Sequence, residues 1–305
     1  MRKSIGLDIG GTKIACGICT EEGQLLGKVE VPTRTDNKET VFSSVQQAIH
    51  LALEQTRTSL KEIKGIGVGV PGKVDRTRGI AVYQNNLPWK NFPVVSALQE
   101  ALSIEHVVLD NDVYMAAYAE WNDAGARKDQ IFSYITVSTG ISSSSIMNGS
   151  FIQGAGFAGE LGLIPVYSSL RKSEAVPVDR LEFTSSGFHL QELGRERLQN
   201  KQLTTKDLFA AYHENKPESV EIIQAAALSI AHGLYSLICL LDPHRIHFGG
   251  SVMIHNPFFL DLILERLEKL MLPEQKHILD HIYLSRLGQN NGVLGAGMRI
   301  FENGS

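Results

Sequence analysis

The chain begins with short apolar runs that are separated by polar or glycine-rich turns. Apolar segments at residues 5–8, 13–19 and 25–31 flank the pair Gly10-Gly11 and a second, polar turn. Short apolar runs joined by tight turns are typical of antiparallel strands. The pattern therefore predicts a three-stranded meander at the start of the chain.

The period of the apolar positions then becomes helical. Residues 38–59 carry apolar side chains at close to helical spacing, which predicts an amphipathic helix. Buried-type runs at 63–68 and 106–109 follow, with one helix between them and another after Asp112. Strands that alternate with helices indicate parallel pairing, so we expect these runs to extend the sheet.

The same plan restarts at about Asp129. The second half is predicted to contain strands at 132–138, 144–147 and 245–248, a hairpin turn at Asn148-Gly149, a core helix at 220–241 and a final helix at 292–301. We therefore expect a duplicated α/β unit with a ligand cleft between its halves.

Composition excludes several classes of protein. The 305 residues include 29 Lys and Arg against 33 Asp and Glu, which gives a net charge of −4. The sequence contains no block of basic residues that would favour binding to nucleic acid or to an anionic membrane. Three cysteines are too few for a disulfide framework and fit a reducing compartment. No apolar run approaches the roughly 20 residues of a membrane helix, and no signal peptide is recognisable. We therefore expect a cytoplasmic protein without nucleic-acid or membrane partners.

The first glycine turn has the composition of a phosphate site. Gly10 and Gly11 would let the backbone approach an anion, Thr12 adds a hydroxyl donor beside Lys13, and Asp8 could hold a hydrated Mg²⁺. The alternative is a simple hairpin turn with a capping Asp.

The matching turn of the second half contains Thr139 and Gly140. Two such hairpins facing one another could clamp a polyphosphate from two sides. Phosphoryl transfer requires this arrangement, because positioning and charge stabilisation supply most of its catalysis.

Five segments resemble the ROK family of bacterial sugar kinases and sugar-responsive repressors. They occur in order within residues 5–301 and comprise residues 5–13 (IGLDIGGTK), 70–75 (VPGKVD), 86–89 (NLPW), 111–112 (ND) and 154–162 (GAGFAGELG). The resemblance implies an α/β fold of two ribonuclease-H-like domains of the actin and hexokinase type, and phosphorylation of a hexose by Mg-ATP. Repressor members carry a winged helix-turn-helix ahead of the first hairpin, whereas only three residues precede Ser4. We therefore expect the kinase branch.

The resemblance also implies roles for polar residues on the sugar side. Asn111 and Asp112 match the sugar-binding Asn and the general base, and a carboxylate there could take the proton of the attacking hydroxyl. An Asn or Asp at this position is also a good helix N-cap, and the two roles are compatible. Glu160 and Glu182 match two sugar-contacting Glu residues, for which the alternative is a pair of surface acids.

Two glycine-containing segments complete the implied site. Gly72 and Asn86, or its neighbour Asn85, resemble the sugar-side loop of the first domain. Gly249 and Gly250 resemble the turn against which adenosine lies, although a plain strand-to-helix turn would look the same.

The chain departs from the family at its zinc motif. In many members of the family a His and three Cys hold a structural zinc, and the matching positions here are Leu163, Ser173, Ala175 and Arg180. None of these is a zinc ligand type, so we expect no structural zinc. The three cysteines, Cys16, Cys19 and Cys239, fall in a predicted strand and the core helix, and are interpreted as small apolar core residues.

Two substitutions bear on substrate and activity. The missing His also contacts the sugar in many family kinases, and Leu163 cannot bond a hydroxyl, so we hypothesise a substituted hexose such as an N-acetylhexosamine or a β-glucoside. The run Ser142–Ser145 stands where the family has glycines, which loses positive φ and could alter phosphate geometry.

The sequence thus indicates an ATP-dependent sugar kinase that acts at O6 of a hexose or hexose derivative, and the resemblance implies a homodimer. The alternative is a catalytically weak or inactive sugar-binding or regulatory member of the family. We expect residues 1–112 with a C-terminal helix at about 292–305 to form the smaller domain, and 113–291 the larger.

Overall fold

The computed structural model describes residues 1–84, 86–168, 170 and 177–302. The chain divides into two compact units, Met1–Gly125 with Gln289–Ser305, and Ala126–Gly288. Each unit has a five-stranded mixed sheet and an apolar core of its own.

The first unit is built on the predicted meander. Its elements are β1 (Lys3–Ile9), β2 (Lys13–Thr20), β3 (Leu25–Pro32), α1 (Lys38–Thr56), β4 (Ile63–Val70), β5 (Lys73–Asp75), β6 (Ile80–Tyr83), β7 (Lys90–Phe92), α2 (Val94–Leu102), β8 (Val107–Asn111) and α3 (Asp112–Asp123). The main sheet has the order β3-β2-β1-β4-β8, in which β1 to β3 are antiparallel and β4 and β8 run parallel to β1. The predicted meander and its parallel extension are confirmed, and β5, β6 and β7 form a small separate sheet.

The second unit repeats this plan. Its elements are β9 (Phe132–Val137), β10 (Ile141–Met147), β11 (Ser150–Phe151), β12 (Pro165–Tyr167), β13 (Val178–Arg180), α4 (Leu181–Ser185), α5 (Gly187–Arg197), α6 (Thr205–His213), α7 (Pro217–Leu241), β14 (Arg245–Gly249), α8 (Ser251–His255), α9 (Phe258–Glu268) and β15 (Ile282–Leu284). The sheet order is β11-β10-β9-β14-β15, with β9 and β10 antiparallel and β14 parallel to β9. The predicted duplication of an α/β unit is thereby confirmed.

The C-terminal helix α10 (Asn291–Met298) returns the chain to the first unit. It packs closely on α3, since a Cβ at Gly295 would collide with the carbonyl oxygen of Met115. This contact assigns α3 to the first unit, so the chain divides between Gly125 and Ala126 rather than after Asp112.

One helix corrects the expectation that no apolar run reaches the length of a membrane span. By length and composition alone, Pro217–Leu241 could cross a membrane, but 67% of its most apolar window is buried within the protein. It carries much of the second apolar core through residues such as Ile223, Ile230 and Leu234. The structure therefore explains its apolar character as that of a core helix, as predicted for 220–241.

The cysteines agree only in part with their interpretation as core residues. Cys16 and Cys19 are buried in β2, where burial raises the pKa of both thiols, that of Cys19 to about 12. Cys239 is exposed near the end of α7, so its assignment to the core is wrong. Cys239 lies on the outer side of the last turn of α7, as does its neighbour Leu240, which is 82% exposed.

Candidate active site

The first glycine turn joins β1 to β2 and is tightly closed. The amide of Gly10 donates to the carbonyl oxygen of Lys13 at 3.0 Å, and the hydroxyl of Thr33 donates to the Gly10 carbonyl at 2.7 Å. A Cβ at Gly11 would lie 2.5 Å from the Cβ of Asn86. Two segments predicted separately, the phosphate turn and the sugar-side loop, therefore meet in the first unit. Asn85, the alternative sugar-side residue, lies outside the described residues.

Asp8 lies at the end of β1 beside this turn. A Cβ at Gly292, in the first turn of α10, would lie 2.6 Å from Oδ2 of Asp8, so the helix backbone closes over the carboxylate. Burial raises the pKa of Asp8, and the positive charges of Lys28 and Lys13 oppose this rise without cancelling it.

The lysines near Asp8 are held by a carboxylate of β3. Lys13 and Lys28 each lie 2.9 Å from Glu30, and Lys28 also donates to the carbonyl oxygen of Gln289 at 2.9 Å. Hydrogen bonds with Lys13 and then Lys28 lower the pKa of Glu30. Glu30 thus holds two cations whose charges act on Asp8.

A single carboxylate at this turn matches the needs of Mg²⁺. Mg²⁺ keeps several waters and is usually bound by one or two carboxylates together with substrate phosphates. Among the described residues, no group of three or more His, Cys, Asp or Glu could hold a metal ion by itself. Asp8 therefore suits an ion that arrives with a phosphate ligand, and does not form a self-sufficient metal site.

Asn111 and Asp112 form the junction between β8 and α3. Asn111 is the N-cap of α3, and its Oδ1 accepts from the amide of Val113 at 2.9 Å. Oδ1 of Asp112, the first residue of the helix, accepts from the same amide at 2.9 Å. Nδ2 of Asn111 donates to the carbonyl oxygen of Gly72 at 3.0 Å. Gly72 has φ +75°, and a Cβ there would collide with the carbonyl oxygen of Tyr83, which explains the glycine. The capping alternative thus holds together with a fixed position for both polar side chains.

The glycine turn of the second unit joins β9 to β10, and Glu182 lies against it. Oε2 of Glu182 accepts from the amide of Ile141 at 2.9 Å, and a Cβ at Gly140 would lie 2.5 Å from the same oxygen. The start of α5 secures the other side of the turn, because the amide of Phe188 donates to the carbonyl oxygen of Thr139 at 3.3 Å. The carboxylate assigned to the sugar is thus bonded to the turn assigned to the phosphates.

Glu160 is the second acid of this region. Burial and then the negative charge of Glu182 raise the pKa of Glu160, so the two carboxylates repel each other electrostatically. Leu163, three residues later, is 47% exposed although it is apolar. An acidic pair with an exposed apolar neighbour fits a polar ligand that carries an apolar part.

The second unit also contains a cavity of about 580 Å³ beside its glycine turn. Its lining includes Thr139, Phe188, Gln191, Lys206 and Ser251. This volume and this mixture of an aromatic ring, polar groups and a cation suit a nucleotide-sized ligand.

Gly249 ends β14 next to this cavity, and Gly250 follows it directly before α8. A Cβ at Gly249 would collide with the hydroxyl of Tyr134, and Gly250 has φ +86° and faces the backbone of Val137. Packing inside the unit therefore requires both glycines, whereas Ser251, immediately after them, lines the cavity.

The model of the ROK family matches residues 4–301. The chain belongs to the ROK family.

Relatives of this ROK chain extend over nearly its whole length. A glucokinase from Halalkalibacterium halodurans is 27% identical, and the alignment covers 97% of this chain and 94% of that protein. An N-acetyl-D-glucosamine kinase from Haemophilus influenzae is also 27% identical, with coverage of 95% and 97%. The crystal structure of a ROK family glucokinase from Streptomyces griseus in complex with glucose and AMPPNP is 25% identical and superposes with a TM-score of 0.81 over 99% of this chain and 100% of that one. The expected hexokinase-type fold of two α/β domains is confirmed.

The zinc positions of this ROK chain can be followed in part. Leu163 ends a 3₁₀ turn and Arg180 ends β13, while Ser173 and Ala175 lie outside the described residues. The described ends of the loop pair as the antiparallel strands β12 and β13, and the hydroxyl of Ser229 donates to the carbonyl oxygen of Tyr167 at 3.2 Å. Backbone pairing and a bond to α7 thus hold the two ends of this segment.

Sequence reasoning missed three charged residues near the site. The charge of Lys28 acts on Asp8 and opposes the rise of its pKa, and Arg76 pairs with the buried Asp110 beside the Asn111-Asp112 junction. Asp110 could have been suspected, because a carboxylate in the apolar run of β8 needs a buried partner. Nothing in the sequence pairs Arg76 with it, since the two residues lie on different elements.

Proposed function

We propose that this ROK protein is an ATP-dependent sugar kinase that transfers the γ-phosphate of ATP to O6 of a hexose or hexose derivative. The observation that carries the proposal is the fixed position of Asp112 at the start of α3, beside Asn111 and the loop of Gly72. The family and the two kinase relatives support the same activity.

Asp112 is proposed as the general base. One of its oxygens accepts from the amide of Val113, the second residue of α3, which orients the carboxylate before any substrate binds. As the O6 oxygen attacks the γ-phosphorus, its proton passes to this carboxylate, and the bond between the γ-phosphorus and the bridging oxygen of ADP breaks. Asn111 and the Gly72 loop would orient the sugar on the same side.

The nucleotide is assigned to the two glycine turns and the cavity of the second unit. Gly10, Gly11, Thr12 and Lys13 would contact phosphate oxygens from the first unit, and Thr139 and Gly140 from the second. The adenosine would occupy the 580 Å³ cavity beyond Gly249 and Gly250. The glucokinase that was solved with glucose and AMPPNP supports an ATP-type nucleotide for this fold.

Mg²⁺ is assigned to Asp8, through water. The ion would neutralise charge on the transferred phosphoryl group. The lysines held by Glu30 would add positive charge on the protein's side of the same turn.

The sugar is assigned to Gly72, Asn86 and Asn111 in the first unit and to Glu160 and Glu182 in the second. We propose a substituted hexose as the preferred substrate, because the exposed apolar Leu163 follows Glu160 so closely. The N-acetyl-D-glucosamine kinase among the relatives supports this class, whereas the glucokinases support free glucose.

A panel of sugars tests this choice. ADP release should be faster with an N-acetylhexosamine or a β-glucoside than with glucose, and the substitution Leu163→His should shift the preference towards glucose. A wild-type preference for glucose over every substituted sugar would contradict the assignment.

The substitution Asp112→Asn tests the proposed base. Asn keeps the oxygen that accepts from Val113, so the cap and the fold should persist, but it cannot take the proton. We expect kcat to fall by about 10²- to 10⁴-fold with the sugar still bound. Turnover at the wild-type rate in the folded variant would refute the assignment. Sugar binding without turnover in the wild-type protein would support the alternative of a regulatory member.

A cytoplasmic homodimer is proposed on the family resemblance and on the reducing compartment that three unpaired cysteines suggest. Light scattering of the purified chain tests the dimer.

A further inference from the structure

A second carboxylate, that of Asp110, lies next to the proposed base. Asp110 is 1% exposed, and its Oδ1 accepts from the amide of Asn111 at 2.7 Å. Its Oδ2 is buried and accepts no hydrogen bond from the residues that the structure describes. A buried charge of this kind depends strongly on whatever partner it has.

That partner is Arg76. Its Nε and Nη2 lie 2.8 Å and 2.7 Å from Oδ1 of Asp110, and its guanidinium lies 4.8 Å from the centre of the Tyr114 ring. Burial lowers the pKa of Arg76, but the hydrogen bond and charge of Asp110 more than offset this, so the pKa is raised. Arg76 therefore contacts the chain on both sides of Asp112 in the sequence, through the carboxylate of Asp110 and the ring of Tyr114.

These contacts join two elements that are separate in sequence. Arg76 follows β5 at the tip of the β5–β6 hairpin, and Gly72 stands at the base of the same hairpin. The base of the hairpin is bonded to Asn111 through the Gly72 carbonyl, and its tip is bonded to Asp110. The β8–α3 junction is thus fixed to the sugar-side hairpin at two points.

We propose that Arg76, acting through Asp110, is a positioning residue that fixes the Asn111-Asp112 junction relative to the sugar-side hairpin. Arg76 is assigned no contact with the substrate or the nucleotide. The inference rests on the proposed function, because the junction matters as the place where sugar and base meet. A small displacement of a reacting group is costly, since about 1 Å can reduce the rate 100-fold.

The test compares Arg76→Ala with Arg78→Ala. Arg78 is an exposed residue of the same hairpin and carries the same charge, so it controls for net charge and for the hairpin itself. We expect Arg76→Ala to reduce kcat/KM for the sugar by about 10- to 100-fold and to leave the KM for ATP unchanged. Arg78→Ala should change neither.

Rescue separates positioning from simple loss of structure. Arg76→Lys should recover part of the activity, because an ammonium can make one of the two bonds to Asp110. Added guanidinium at millimolar concentration should stimulate Arg76→Ala and leave Arg78→Ala unaffected. In an Asp110→Asn background, which keeps the oxygen facing the Asn111 amide, Arg76→Ala should cost much less than in the wild type.

Three results would overturn the inference: unchanged sugar kinetics in Arg76→Ala, an equal loss in Arg78→Ala, or a rise in the KM for ATP that accounts for the whole effect. If Arg76→Ala does not fold, the Arg76→Lys and Asp110→Asn variants decide, and wild-type sugar kinetics in both would equally overturn it. Failure of the proposed function is seen separately, as a wild-type protein that turns over no sugar. Calorimetric sugar affinity of the Arg76 and Arg78 variants still tests the positioning in that case.

Discussion

The hydrogen bond between the Ile141 amide and Glu182 offers a sharp test, because a substitution at a third residue should break it. Gly140→Ala places a Cβ 2.5 Å from Oε2 of Glu182, whereas ordinary contact begins at 3.4 Å. The carboxylate must therefore retreat by 3.4 − 2.5 = 0.9 Å. Glu182 is flexible at its far end, so we expect the protein to remain folded while the carboxylate moves.

The size of the effect follows from this movement. A bond of 2.9 Å that lengthens by 0.9 Å reaches 3.8 Å, at which no hydrogen bond remains. A hydrogen bond to a charged group contributes about 1.5–3 kcal/mol. Because each 1.4 kcal/mol is a factor of ten, we expect the sugar Kd to rise by about 10- to 100-fold if Glu182 binds the sugar from this position.

The assay is isothermal titration of the sugar into the wild type, Gly140→Ala, Glu182→Ala and the double variant. If Gly140→Ala acts through Glu182, it should cost almost nothing in the Glu182→Ala background, so the two single effects should not add. Additive effects would refute the reasoning, since they would mean that the extra methyl group acts on the phosphate turn itself.

Three further predictions concern single groups. Because burial raises the pKa of Asp8, the ionised carboxylate destabilises the folded protein at neutral pH. The Asp8→Asn variant should therefore unfold at the same or a higher temperature than the wild type, while its activity or Mg²⁺ affinity falls by about 10- to 100-fold. A lower unfolding temperature would contradict this. Sugar affinity should fall as the pH drops through the raised pKa of Glu160. The Glu182→Gln variant removes the neighbouring negative charge, so the same fall should occur at lower pH. If the fall stays at the same pH, Glu182 does not influence the pKa of Glu160. A thiol reagent should label one cysteine of the folded chain, Cys239, and Cys239→Ser should abolish labelling, whereas fast reaction of all three thiols would disprove the burial of the other two.

The pattern of apolar residues predicted most of the fold, because the strands of each main sheet are short apolar runs in the sequence. The first domain's boundary could not be placed in this way, since a strand that ends in Asn111-Asp112 also marks a natural break in the chain. What decides it is the packing of α3 on α10, where Gly295 lies against the backbone of Met115. The glycines of α10 were a usable signal, because glycine inside a helix often marks the close approach of another backbone.

The candidate site was predicted residue by residue from the family's motifs, and the structure adds the bonds between those residues. Gly11 meets Asn86, Asn111 holds Gly72, and Glu182 holds the turn after Gly140. None of these contacts has a sequence signature, because each joins segments that are distant in the chain. The family resemblance identified the residues, and only tertiary structure could connect them.

The serine run shows how a departure from a family pattern can act elsewhere than expected. Loss of glycine after Thr139-Gly140 suggested a disturbed phosphate turn, but the turn ends before Ile141, and the serines lie in β10, where extended backbone suits any residue. The amide and hydroxyl of Ser143 instead donate to the carbonyl oxygen of Gly159 at 2.7 Å and 3.0 Å. Gly159 immediately precedes Glu160, so these bonds hold the segment that carries the acid proposed to bind the sugar. The serines that replace the family's glycines therefore act on the proposed sugar site, as Leu163 does. The proposed phosphate turn itself keeps Gly140.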